Sequence, residues 1–316
     1  MTPDPSPSGN TPETQPSDAP APACVLSFNA GDPSGAGGSG GDVTTIAAMG
    51  AHPLPVITDI VMRDTAEVFD HHPLDPEVVV EQARSILEDV TVAAWKVGFL
   101  GSAEVVGAVA EILSDYPDVP LVAHMPSLGW MGDDEQQAYL DAFRELVLPA
   151  TEVLVGNHKT LTDFLLPDWD NERPPSAREL AVAAGEHGTR YVLVTGIMLS
   201  SKGSEQWVDN VLASPQGALT GEKFELFEAS FVGAGDTLSA ALAALLASGA
   251  ELHAAVGEAL SFLDQSLDAG FRPGMGNVVP DRFFWALPGA DEEEGDGEPA
   301  AEPAPEEPKG VSRRIH

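Results

Sequence analysis

The sequence predicts an α/β fold with a mostly parallel central sheet covered by helices on both faces. Two observations carry this expectation. Through the middle of the chain, short apolar runs of strand length alternate with amphipathic stretches of helix length. A glycine-rich segment sits between the first apolar run and the first helical stretch. In open α/β sheets, ligands gather at such carboxyl ends of strands.

Taken in order, the strand-like runs are 24–28, 55–62, 92–97, 120–123, 152–155 and 191–195. The helix-like stretches between them are 43–49, 76–89, 103–115, 135–147 and 177–187. A polar pair, 205–212 with 223–227, reads as antiparallel and is followed by helices over 238–247 and 252–269. No internal repeat is visible. The strand ends gather Gly31–Gly41, Arg63, Asp64, Gly98, Asn157 and Gly196 on one side of the sheet.

The ends differ from the middle. Residues 1–22 are Pro, Ser, Thr, Asp and Ala without an apolar run, and 289–316 begin acidic and Pro-rich. Both are expected to be disordered tails flanking one domain over 23–288. There is no signal-peptide pattern and no run of 18 apolar residues, so a soluble, cytoplasmic protein is expected. The single cysteine, Cys24, excludes an intramolecular disulfide and a cysteine-based zinc site. The formal charge of −35 disfavours nucleic acid and anionic membranes as partners. Any phosphate chemistry must then draw on local donors and a divalent cation.

The stretch FVGAGDTLSAALAALLASG, 231–249, places two glycines and an aspartate at the start of an Ala/Leu-rich helix. The first turn of a helix has unpaired N–H groups and partial positive charge, so it attracts anions, phosphate above all. Asp236 is open to two readings. It is an ordinary N-cap, or a base that takes the proton from a hydroxyl attacking that phosphate. The loop NAGDPSGAGGSGGDV, 29–43, contains a G-x-G-x-x-G spacing at Gly35, Gly37 and Gly40. Asp32-Pro33-Ser34 inside the turn, and the lack of an acid ending a second strand, argue against a dinucleotide fingerprint. The Gly-Lys-Ser/Thr of a Walker A loop is also missing.

The opening SFNAGDPSGAGGSGGDVTTIAAMGAHPLPVITDIVMRDT resembles that of the hydroxymethylpyrimidine and phosphomethylpyrimidine kinases. These are ribokinase-like proteins related to the vitamin B6 kinases. Asp32, Pro33, Ser34, Gly35 and Asp42 match in register; AWKVGFLGS, GAGDTLSAAL and RPGMGNVVPDRFFW match later segments in the same order. The resemblance spans about 24–286. It implies a ribokinase-like three-layer α/β/α fold and an ATP- and Mg²⁺-dependent small-molecule kinase. It further implies an anion hole from the backbone of Gly233, Ala234 and Gly235, with Asp236 at the base position. Asp32, Asp42, Val61, Arg63 and Phe99 would fall on the substrate side, and Asn157, Thr195 and Gly196 on the nucleotide side. A homodimer is also implied.

The departures from the family matter as much. Arg63 stands where the pyrimidine kinases have glutamine; it binds a phosphate on the substrate, marks a different substrate, or is a solvated arginine at a strand end. His124 replaces an aspartate, Thr160 a glutamate and Thr195 a lysine. The first two losses should weaken metal binding, with no ligand set assignable from sequence. Asp70-His71-His72 is read as an exposed turn. The expected activity is phosphorylation of the hydroxymethyl group of hydroxymethylpyrimidine and its monophosphate. Pyridoxal or pyridoxine is the rival substrate, and a catalytically weakened sensor is the alternative of a different class.

Overall fold

The computed structural model describes residues 21–199 and 206–286. The tails predicted over 1–22 and 289–316, apart from residues 21 and 22, lie outside this description. Nine strands form one sheet: β1 (Cys24–Gly31), β2 (His52–Arg63), β3 (Val68–Pro73), β4 (Ala94–Val97), β5 (Leu121–His124), β6 (Val153–Asn157), β7 (Tyr191–Met198), β8 (Trp207–Ser214) and β9 (Gly217–Glu225). Their spatial order is β3-β2-β1-β4-β5-β6-β7-β8-β9. The six central strands run parallel, and β3, β8 and β9 add antiparallel edges.

The helices are α1 (Gly38–Ala48), α2 (Pro76–Leu87), α3 (Ala103–Ser114), α4 (Asp133–Ala142), α5 (His158–Leu165), α6 (Ala177–Glu186), α7 (Ala234–Ala247) and α8 (Leu252–Asp268). Helix α4 continues through one wide turn, Phe143–Val147. Helices α1, α7 and α8 pack side by side, and α7 crosses β1, β4, β5 and β6. Helices α2 to α6 cover the opposite face. Burial explains the sequence pattern. Strand β1 is buried from Val25 to Ala30, and its two polar residues, Ser27 and Asn29, find hydrogen-bond partners inside the protein. Helix α7 is buried from Thr237 to Leu245, which is why small and apolar residues occupy its whole circumference.

Local signals set several boundaries. Asp75 caps α2 with Pro76 at its first position, Ser102 caps α3, and Ser176 with Glu179 forms a reciprocal capping box on α6. Past Arg282, Phe284–Ala286 form a single tight helical turn.

Four expectations change. Helix α1 begins at Gly38, five residues before the predicted 43, because Gly38 and Gly41 pack closely against Ala30 and Arg282 and tertiary contact overrides poor helix propensity. Helix α5, short and polar, was not foreseen. Strand β9 begins at Gly217 rather than 223. Asp70-His71-His72 is no exposed turn: it lies in edge strand β3, and the two-residue period turns His71 inward. There its Nδ1 is 2.7 Å from Asp59 Oδ2 and its Nε2 3.0 Å from Glu135 Oε1. The ring meets Phe99 and Trp130 edge-on.

Candidate active site

The start of α7 is built by close backbone approach. Gly233 has φ +87°, and a Cβ there would fall 1.6 Å from the Ala36 carbonyl oxygen. No other residue type fits. Arg282, 5 % exposed, donates from Nε to Thr237 Oγ1 at 3.0 Å and from Nη2 to the Ala36 carbonyl. One buried guanidinium thus ties the glycine-rich loop to the first turn of α7. On the other side Asp32 accepts from Ser34 N–H, Ser34 Oγ and Gly37 N–H, which fixes the turn that the D-P-S-G segment encodes.

Asp236 projects from this turn into a hydrogen-bonded network. Its Oδ1 lies 2.7 Å from Lys96 Nζ, 3.0 Å from Asn29 Nδ2 and 3.3 Å from His124 Nδ1. Its Oδ2 accepts from Gly38 N–H at 2.8 Å. Lys96, on β4, is fully buried and also lies 2.8 Å from Asp42 Oδ1 and 2.9 Å from Oδ2. Asp42 Oδ2 further accepts from Ser27 Oγ and from Asn29 Nδ2. Three strand residues, Ser27, Asn29 and Lys96, therefore hold two carboxylates that come from different helices.

The electrostatics follow from this geometry. Burial opposes charge on Asp236, but Lys96 and then His124 outweigh it and hold the carboxyl well below the usual range. Burial pushes Asp42 up, offset in part by Lys96. Burial works against the Lys96 ammonium too, yet Asp236 and Asp42 lift it above its ordinary value. Asp236 is thus held as a carboxylate, with Oδ1 crowded by donors and Oδ2 bound by one backbone N–H.

A cleft of about 640 Å³ opens over this turn at the carboxyl ends of the strands. Of the residues singled out from sequence, Gly233, Ala234, Gly235, Asp236, Arg63, Asn157 and Thr195 line it. The others lie behind the wall. Asp42 is fully buried beneath Lys96, Val61 packs in the core, and Asp32 sits behind Arg63 with its Oδ2 3.6 Å from Nη1. Phe99 stands behind Trp130, which reaches the cleft edge-on against it at 5.4 Å between ring centroids. Gly196 donates its N–H to Asn210 Oδ1 beside Thr195. Asn157 uses its Oδ1 to cap α5 through Thr160 N–H.

Asn29, Lys96, His124 and Arg282 belong to this site and were not among the residues predicted for it. A lysine inside an apolar strand, AWKV, was the available signal for Lys96, since a fully buried lysine requires a partner. Among the described residues, no group of three or more His, Cys, Asp or Glu side chains could hold a metal ion. Asp236 already carries four donors, so the described residues offer no cage of their own for a metal ion. No helix among the described residues is long and apolar enough to cross a membrane.

Comparison with known proteins places this geometry. The family model of phosphomethylpyrimidine kinase matches residues 32–281. The chain is 30 % identical over 275 residues to the hydroxymethylpyrimidine/phosphomethylpyrimidine kinase of Streptomyces coelicolor, covering 87 % of this chain and 99 % of that one. It is 33 % identical over 247 residues to a chloroplastic thiamine biosynthetic bifunctional enzyme of Arabidopsis thaliana, covering 76 % of this chain but 45 % of that protein. In fold it is similar to Bacillus subtilis pyridoxal kinase, solved as an ADP complex, with a TM-score of 0.72 at 23 % identity over 85 % of this chain and all of that one. A phosphomethylpyrimidine kinase of Clostridium difficile superposes with a TM-score of 0.61 at 21 % identity, covering 76 % of this chain and 97 % of the other. With the family model matched over residues 32–281 and a curated relative 30 % identical across most of both chains, the chain belongs to the phosphomethylpyrimidine kinase family and is a small-molecule kinase.

Proposed function

We propose that this kinase uses Mg²⁺-ATP to phosphorylate the hydroxymethyl group of a small heteroaromatic vitamin precursor, hydroxymethylpyrimidine and its monophosphate, in thiamine synthesis. The observation that carries this reading is Asp236 beside the first turn of α7. The N–H groups of Ala234, Gly235 and Asp236 open the helix and have no intrahelical acceptor, so they offer donors to a transferring phosphoryl group. Asp236 Oδ2 is the oxygen with room to take the hydroxyl proton, because Oδ1 is already crowded by three side-chain donors. Its lowered pKa makes it a weak base that is ionised at neutral pH. That suits phosphoryl transfer, where positioning and charge stabilisation supply most of the rate. Trp130 and Arg63 on the substrate side offer a flat apolar surface and a cation. Mg²⁺ would supply charge neutralisation on the nucleotide phosphates.

Pyridoxal is the rival substrate, favoured by Asp236 and Thr195, which the B6 kinases also carry. The same set of replacements, His124, Thr160 and Thr195, favours a sensor that binds without efficient turnover. The deciding experiment measures ADP release from Mg²⁺-ATP with hydroxymethylpyrimidine and pyridoxal in parallel, each repeated with Asp236→Ala. Turnover of the pyrimidine that vanishes in the variant is the expected result. Turnover of pyridoxal alone reassigns the substrate, and binding of either without turnover supports the sensor.

A further inference from the structure

The cleft is poor in positive charge. Among its lining residues only Arg63 and His124 can carry a cation. Arg63 belongs to the end of β2, where it is held by Asp32 and by the Asp64 carbonyl. Lys96 and Arg282 are buried behind the wall at 0 % and 5 % exposure. A phosphate seated on the first turn of α7 therefore meets one ionisable cation at close range, and that is His124.

The placement of its ring is specific. A Cβ added to Gly235 would lie 2.2 Å from His124 Nε2 and 2.6 Å from Cε1, so the Nε2 edge rests against the backbone that opens α7. The other edge points at the carboxylate, with Nδ1 3.3 Å from Asp236 Oδ1. Because Asp236 is held ionised, Nδ1 is the donor of that contact. A neutral imidazole has one N–H, so a neutral His124 would turn the Nε2 lone pair toward a bound phosphate. A second proton, on Nε2, reverses this: the ring becomes a charge-assisted donor to phosphate while keeping its bond to Asp236.

We propose that His124 is a catalytic residue of the phosphoryl transfer, binding the transferring group through Nε2–H as an imidazolium. This rests on the kinase reading of the same site. One proton enters from solvent onto Nε2 when the phosphate ligand binds and leaves when the product goes; in the transfer the substrate oxygen–phosphorus bond forms, the bond from that phosphorus to the ADP oxygen breaks, and the hydroxyl proton passes to Asp236 and then to solvent. The charges that face the ring are Asp236 on α7, Lys96 on β4 at the same carboxylate oxygen, and Arg63 and Glu67 across the cleft; Arg282 and Asp42 lie behind Asp236.

The test is calorimetric titration with Mg²⁺ and the non-hydrolysable nucleotide AMP-PCP, at mildly alkaline pH, in buffers of different ionisation enthalpy. Wild-type protein is expected to take up protons on binding. His124→Asn keeps a donor toward Asp236 and should bind roughly tenfold or more weakly with that uptake gone. His124→Gln restores an uncharged donor toward the phosphate, so it should bind between the two, again without uptake. Wild-type uptake and affinity retained in both variants would overturn the proposal while leaving the kinase reading intact. No nucleotide binding by the wild-type protein would overturn both.

Discussion

Lys96 Nζ sits 2.7 Å from Asp236 Oδ1 and 2.8 Å from Asp42 Oδ1, so a fully buried ammonium joins the first turn of α7 to helix α1. Asn29 repeats the bridge with one amide nitrogen. The orientation of Asp236 is therefore set from inside the sheet rather than from the cleft.

Removing the ammonium leaves Asp42 buried and uncompensated. Lys96→Met is expected to lower stability by about 3–5 kcal/mol. Urea unfolding followed by circular dichroism measures this, and a midpoint equal to wild type would show that the pair carries no net stabilisation.

The same pair gives stability a defined pH window. Asp236 is depressed below the ordinary aspartate value of 3.8, so its contribution is present above that pH and is lost as pH falls through its folded pKa. Lys96 is lifted above 10.5, so its contribution is present below that pH and is lost as pH rises through its folded pKa. Asp42, raised by burial, runs opposite to Asp236. Asp236→Asn should flatten the acid limb of Tm against pH below about pH 4, where the unfolded carboxylate titrates. An unchanged acid limb would assign acid unfolding to other carboxylates.

Gly233 and Gly50 have nearly the same φ, +87° and +81°, but a Cβ at Gly50 meets nothing within 4 Å. Gly50→Ala isolates the conformational cost, about 1–3 kcal/mol. Gly233→Ala adds collision with the Ala36 carbonyl, so it should destabilise more and also displace the turn proposed to hold the phosphoryl group, lowering kcat by on the order of 10²-fold. Equal thermal shifts and unimpaired kcat would show that the loop relaxes freely.

Arg63→Gln tests whether this arginine reads a phosphate on the substrate. KM for the monophosphate should rise roughly tenfold or more, with KM for the unphosphorylated pyrimidine little changed, as expected for loss of one charge-assisted contact. Equal effects on both substrates would leave Arg63 as a strand-end residue held by Asp32.

The layered fold was legible because its driving forces are periodic: buried strands read as apolar runs, and α2, α3 and α6 advertise their caps. The turn at 233–236 was legible for the same local reason, two glycines before a helix. What escaped was non-local. Lys96 looks like an error in an apolar strand until α1 and α7 bring carboxylates to it, and His71 looks exposed until β3 pairs with β2. Asp42, Val61 and Phe99 show the converse, since a motif gives proximity to a site without saying which layer of it a side chain occupies. Asp42 lies one residue deep, Val61 in the core, and Phe99 behind Trp130.

The last stretch of the core has a bearing on how the protein is made. Val278 bridges to Phe231, Asn277 donates to the Thr65 carbonyl, and Arg282 closes on Ala36 and Thr237. All nine strands and both helices that carry the carboxylates are translated before residue 271. The sheet can form while the ribosome still holds the C-terminal segment, but the first turn of α7 lacks its guanidinium partner until that segment emerges. Formation of the sheet and closure of the 233–237 turn are separate events in synthesis, and that turn stays untied to the glycine-rich loop until residue 282 has been made.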